Sequence, residues 1–241
     1  MAQRSGRFRV YRVVPSVPHL NLQAVDELTL YTVYESGYET IQESVDTLRT
    51  GDLIEATISG DPADDAEAWR LTAIDRIGGV RMDFAVNATL PAVANTCWES
   101  GQSEPRCVTL TNQEDTQSNS GPDGGFESST DTDSAPPIGA CCVQPRAGLP
   151  DGAFIPNILT GTLPLESVLQ SVPGTDDPAV TALFIDPARP SADNYEIPFG
   201  VVLLFTQSDT DLRKRFYQQY DCPTEPDSDI DTRPSFDPYA M

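Results

Sequence analysis

Apolar positions recur along this chain with two different periods. In RFRVYRVV, residues 7–14, arginines alternate with Phe8, Val10 and the Tyr11–Val13 stretch. A period near two puts successive side chains on opposite faces of a strand, one of them wet. ELTLYTVY, residues 27–34, repeats the signal with Leu28, Leu30 and Val33, in a stretch rich in aromatic and β-branched types. Between these strands, PSVPHLNLQAVD reads as a long turn punctuated by Pro15 and Pro18. The period then changes. Ile41, Val45 and Leu48 in ETIQESVDTLRTG share one helical face, and Gly51 is placed to end that helix in a left-handed cap. DLIEATISG and AWRLTAIDRIGG return to alternation on either side of the acidic segment DPADDAE. They predict a hairpin with a solvated tip.

Residues 82–99 read as helical with a break, and Pro91 suits a first helical turn, so a helix is expected over about 90–99. A short strand follows near CVTLTN. Residues 112–137 then change composition abruptly to Ser, Asp, Gly and Pro with a single aromatic. Such a segment buries too little apolar area to offset its ordering entropy. It is expected to be a disordered acidic insertion, and 223–241 a disordered acidic tail. Beyond the insertion, LPLESVLQSV predicts a short helix with Thr162 as cap ahead of Pro164. AVTALFI predicts a buried strand, ARPSADNYEIP a loop, and FGVVLLF a central strand. Ser208 or Asp209 is placed to cap a last helix, DTDLRKRFYQQY. The expected class is α+β, built of antiparallel hairpins and short helices. It comprises an N-terminal part (1–111), the insertion (112–137), a C-terminal part (138–222) and the tail (223–241). Residues 7–77 are compatible with a small barrel-like unit.

Several of these stretches resemble a family of haloarchaeal proteins of unknown function. SGRFRV, VDTLRTGDLIEATISG and the late block ALFIDPARP, PFGVVLLF and DLRKRFYQQYDCP match its opening strand, an LRxGxLVDATL-like strand and an FVVVYI-like strand before a final helix, in that order. These are core motifs. The resemblance implies kinship over the ordered two-thirds of the chain and brings no catalytic residues. The insertion at 112–137 and the Cys141–Cys142 pair depart from that pattern.

Charge narrows the setting. Acidic residues number 37 against 15 basic ones, for a formal charge of −22, and Lys214 is the sole lysine. Apolar residues make up 39% and fall into periodic runs, which excludes wholesale disorder. The acid is spread along the chain, not gathered in one tail as in a dedicated nucleic-acid mimic. Solubility in very high salt is the reading that fits, since Asp and Glu support solubility better than basic residues do. The first residues hold no secretory signal, and no run approaches the ~20 apolar residues that span a bilayer. A cytoplasmic, halophilic protein without membrane contact is expected.

Motifs for chemistry are sparse. The lone His19 lies in a proline-bounded loop without a G-x-S-x-G nucleophile turn, so Ser-His-Asp and Cys-His catalysis lack their base. No phosphate-binding glycine motif opens a helix. Five cysteines at irregular spacing form no disulfide framework and no zinc pattern. The adjacent Cys141 and Cys142 remain candidates for a soft metal or for oxidation. No cofactor is expected. Arg7, Arg9 and Arg12, interleaved with Phe8 and Tyr11, are candidate contacts to single-stranded nucleic acid by stacking and charge. Arg213, Lys214 and Arg215, the only consecutive basic triplet, are candidates for an anion. On that helix Leu212, Phe216 and Tyr220 are spaced by four, which would turn the basic residues outward. The composition favours a non-enzymatic binding or accessory protein, its partner a protein sooner than a nucleic acid. An oligonucleotide-binding-like module and an enzyme with a carboxylate site remain as alternatives.

Overall fold

The computed structural model describes residues 2–11, 18–64, 67–111, 137–163, 166–169, 179–188, 195–207 and 210–222. These form two five-stranded sheets, mostly antiparallel, joined by short helices. The molecule is thus mostly β, with less helix than an α+β reading implies. The insertion, apart from Pro137, and the tail lie outside the described residues.

The first sheet holds β1 (Ala2–Tyr11), β2 (His19–Ala24), β3 (Leu30–Tyr34), β4 (Asp52–Gly60) and β5 (Arg70–Gly79), in the order β3-β2-β1-β4-β5. Helix α1 (Gln42–Asp46) links β3 to β4. HLNLQA, expected as part of a turn, is β2; Leu20 and Leu22 alternate inward with Asn21 and Gln23 between them. The prolines before it had masked this alternation. Phe8 and Val10 enter one core with Leu20, Leu22, Val33, Val45, Ile54 and Ile58. Two register shifts in the β4–β5 ladder bend it. The bend brings the sheet's two edges together: Trp69 N–H donates to Thr32 O at 2.8 Å, and Tyr34 N–H donates to Trp69 O at 3.0 Å. This contact is one isolated parallel bridge and not a ladder, so the sheet is curled but does not close as a barrel.

The second sheet holds β6 (Arg81–Val86), β7 (Arg106–Thr111), β8 (Pro137–Pro145), β9 (Thr181–Asp186) and β10 (Phe199–Phe205), in the order β6-β9-β10-β8-β7. Only β6 and β9 run parallel. MDFAV, within the stretch read as helical, is β6; helix begins later, in α2 (Ala92–Cys97). Alternate residues of β8, β9 and β10 feed opposite faces. Val143, Leu183, Val201 and Leu203 pack with α2 and α5 (Asp211–Gln219). Ala140, Phe184, Val202 and Leu204 pack with α3 (Ile155–Leu159) and α4 (Glu166–Leu169). Burial on both faces explains why FGVVLLF is apolar at nearly every position. The boundary between the sheets falls at Val80, ahead of the compositional break at 112.

The two sheets touch through β1. Its inward residues serve the first core, while Tyr11 joins the core that α3 and α4 cover. Asn21 Nδ2 donates to Thr160 O at 2.7 Å across the same junction.

Candidate functional site

A groove lies beside β3, between its exposed side and the β4–β5 turn, with a cavity volume of about 730 Å³. That size suits a small ligand or a few residues of chain. Its walls come from elements whose positions the sheet fixes. β3 supplies Tyr31 and Tyr34, β2 supplies His19, β1 supplies Arg4, and the turn supplies Asp61, Asp64, Glu67 and Trp69. Gly60 makes the turn possible: a Cβ there would stand 2.4 Å from the Trp69 ring, so only glycine lets the indole fold back over the strand. Trp69 meets Tyr31 edge to face, ring centroids 5.1 Å apart, and Tyr31 meets the buried Phe8 at 6.1 Å in the same manner. His19 tilts against Tyr34 at 5.2 Å. The Arg70 guanidinium stands 5.1 Å from the Tyr34 ring centre and 5.8 Å from that of Tyr38. Tyr38 is held by its own hydroxyl, which donates to Tyr34 O at 2.6 Å and accepts from Leu71 N–H at 3.2 Å. Burial pushes that phenol above its ordinary pKa, so it stays a donor.

The arginines singled out on β1 do not line this groove together. Arg7 is exposed and paired with Asp26 at 2.9 Å. Arg9, expected on the wet face of its strand, is only 5% exposed on a central strand. Its Nε donates to Glu166 Oε1 at 2.7 Å, one terminal nitrogen to Glu166 Oε2 at 3.2 Å, and the other to Gly51 O at 2.8 Å. The face that looked wet carries a second layer of protein. Arg12 lies outside the described residues.

The basic triplet is likewise split. Arg213 is 4% exposed, packed 4.4 Å from the ring centre of Tyr217 four residues on. Tyr217 and Arg213 therefore form the inward stripe of α5, with Leu212, Phe216 and Tyr220 beside it and partly buried. The Tyr217 hydroxyl donates to Asp83 Oδ2 at 2.6 Å, and Arg81 clasps the same carboxylate from 2.8 Å. Burial, and then Asp83, raise the Tyr217 pKa well above its ordinary 10.0. Thr210 caps the helix, its hydroxyl accepting from Arg213 N–H at 3.2 Å, so the cap lies past Ser208 and Asp209. Lys214 approaches Asp211 at 3.9 Å, and Arg215 is exposed. Of the triplet, Arg213 anchors the helix, while Lys214 and Arg215 lie on its more exposed side.

Cys141 and Cys142 point to opposite faces of β8. Cys142 is disulfide-bonded to Cys107 on β7, its partner in the strand register. Spacing had given no hint of this bond, because register and not sequence distance creates it. Cys141 is fully buried near Cys97, whose Sγ donates to Arg106 O at 3.1 Å. Burial pushes the Cys141 thiol up to about 12. Among the described residues no three His, Cys, Asp or Glu side chains gather as a metal site.

The groove's aromatic residues were present in LYTVY and AWRL as strand pattern alone; that they converge follows from the edge-to-edge bridge. No family model matches the chain, and neither a curated protein nor a solved structure matches it. Among the described residues no helix is long and apolar enough to cross a membrane.

Proposed function

We propose that this is a non-enzymatic binding protein whose ligand occupies the groove between β3 and the β4–β5 turn. The observation that carries this reading is a concave site of about 730 Å³ walled by Tyr31, Tyr34, Trp69 and His19, on a sheet that holds all four in place. Composition and the haloarchaeal resemblance support a salt-rich cytoplasm as its setting. At molar salt the Debye length shrinks to about 3 Å, so contact interactions such as ring stacking outlast long-range attraction. The test is purification of the tagged protein in multimolar KCl, followed by mass spectrometry of what it retains. A ligand retained by the native chain and lost from a Trp69→Ala variant that still unfolds cooperatively supports the reading. Equal retention by both places binding elsewhere and overturns it.

Strand connectivity favours a second reading. β1 pairs with both β2 and β4, a helix joins β3 to β4, and β3 touches the start of β5 in parallel. This order resembles the partly open oligonucleotide-binding fold, whose second and third strands and β4–β5 loop hold single strands. Absorbance at 260 nm in the same purification tests it. Nucleic acid retained at high salt supports stacking recognition in the groove, and a nucleic-acid-free ligand excludes it.

A further inference from the structure

The geometry points to an organic cation, a guanidinium or alkylammonium group, as what the groove takes. The inference rests on the groove being the ligand site. Along the turn the wall carries Asp61, Asp64 and Glu67, and among the described residues Arg4 is the one arginine lining the cavity. A phosphate entering there meets net negative charge at contact range, where salt screens least. Aromatic rings line the groove beside them, Tyr31 and Tyr34 on β3 and Trp69 at the end of the same turn. The negative face of an indole or phenol ring attracts cations, most strongly over tryptophan. The chain already makes this pairing beside the groove: Arg70 stands over Tyr34 and Tyr38 at 5.1 and 5.8 Å. Tyr31 and Trp69 continue the aromatic row from that point into the cavity. No three acidic, histidine or cysteine side chains converge among the described residues, so no cage of carboxylates encloses a ligand there. That suits a spread, polyatomic cation whose remaining surface rests on rings. It does not suit a bare divalent ion, which needs several oxygens at once. The same group can arrive as a free small cation or as a basic side chain of another protein.

The chain has two tryptophans, Trp69 in the groove and Trp98 stacked on Phe199 at 4.6 Å. In a Trp98→Phe background, fluorescence reports Trp69 alone. The probes are tetramethylammonium, N-acetylargininamide, an oligo-arginine peptide and oligothymidylate, titrated in multimolar KCl. Saturable quenching by the cations and none by oligothymidylate is the expected result. Tyr31→Leu should then weaken cation binding about fivefold, and Glu67→Gln about two- to fivefold, in variants whose far-UV circular dichroism shows them folded at the assay temperature. Tighter binding of the peptide than of the single cations identifies a protein source; equal or weaker binding identifies a free cation. Saturation by oligothymidylate alone overturns the cation assignment and leaves the groove as ligand site. Silence of Trp69 toward every probe overturns the cation assignment, while the retention experiment on Trp69→Ala decides the groove separately. Cation affinities unaltered in both variants also overturn it.

Discussion

Arg9 shows how one residue can carry opposite meanings in sequence and in space. In RFRVYRVV it looks like a solvated arginine; in the fold it fixes β1 to Glu166 on α4 and to the backbone at Gly51. Losing one member of a buried pair leaves an uncompensated charge, which costs about 3–5 kcal/mol. Arg9→Ala should therefore lower unfolding stability by that amount in urea titrations. The double variant Arg9→Met with Glu166→Leu should recover most of it, since removing both charges also removes the desolvation cost. Recovery of none would mean that the hydrogen bond to Gly51 dominates. Alternation in the sequence correctly assigns Phe8 and Val10 to one face. It is silent on whether the other face meets water or a second layer, and this is why Arg9 was legible as β1 and illegible as core.

Asp52 offers a second residue-scale test, through pH. Burial raises its carboxyl above the ordinary 3.8, against the opposing pull of the Arg49 amide and the Arg76 guanidinium. The folded state thus holds this proton more tightly than the unfolded state does. Its contribution to stability is complete below the unfolded value and is lost as pH rises through the raised folded value. Relative to Asp52→Asn, the wild type should lose Tm as pH climbs from the acid range to neutrality. Parallel Tm curves for the two proteins would show that the Arg76 pair, 2.8 Å away, offsets the whole burial cost.

At the scale of elements, most strands with clean alternation or unbroken apolar runs were readable, while β2, β6 and β8 were not. β4, β5, β9 and β10 follow from pattern alone. β2 hides behind Pro15 and Pro18, and β8 hides in PIGACCVQP, whose small residues carry little hydrophobic contrast. Pairing is less legible still. β7 is an edge strand, and only its register opposite β8 puts Cys107 against Cys142. The resulting bond closes a loop across 35 residues of sequence, including the acidic insertion. Chain entropy for a loop of that length predicts about 4 kcal/mol of stabilisation. Reduction, or Cys107→Ser with Cys142→Ser, should lower stability by up to this amount. Under non-reducing, native conditions, alkylation should spare Cys141, whose thiol is both buried and raised to about 12. An unchanged unfolding curve on reduction would show that the β7–β8 ladder already orders the insertion's ends in the unfolded chain.

For the whole molecule, the decisive question is whether the two sheets unfold together. Tyr11 sits in the core of the second sheet while belonging to the first, and Gly161 lies against it so closely that a Cβ would stand 2.8 Å from its ring. Arg9–Glu166 and Asn21–Thr160 cross the same junction. A junction made of a buried ring, a buried ion pair and a buried amide cannot be opened without stranding polar groups, so separation costs as much as partial unfolding. The expected behaviour is one cooperative transition, although composition suggested parts divided by the insertion. Each sheet has its own reporter: Trp69 on the first, Trp98 on the second. Single-tryptophan variants, Trp98→Phe and Trp69→Phe, should give coincident urea midpoints once each curve is referred to its own Tm. Arg9→Ala should either shift both together or, by weakening the junction, split them with the first sheet melting earlier. Midpoints already separate in otherwise unaltered chains would show two independent units and reduce the β1 junction to a surface contact. Lowering the salt should shift both probes alike toward instability, because a charge of −22 repels itself across both sheets once screening is withdrawn.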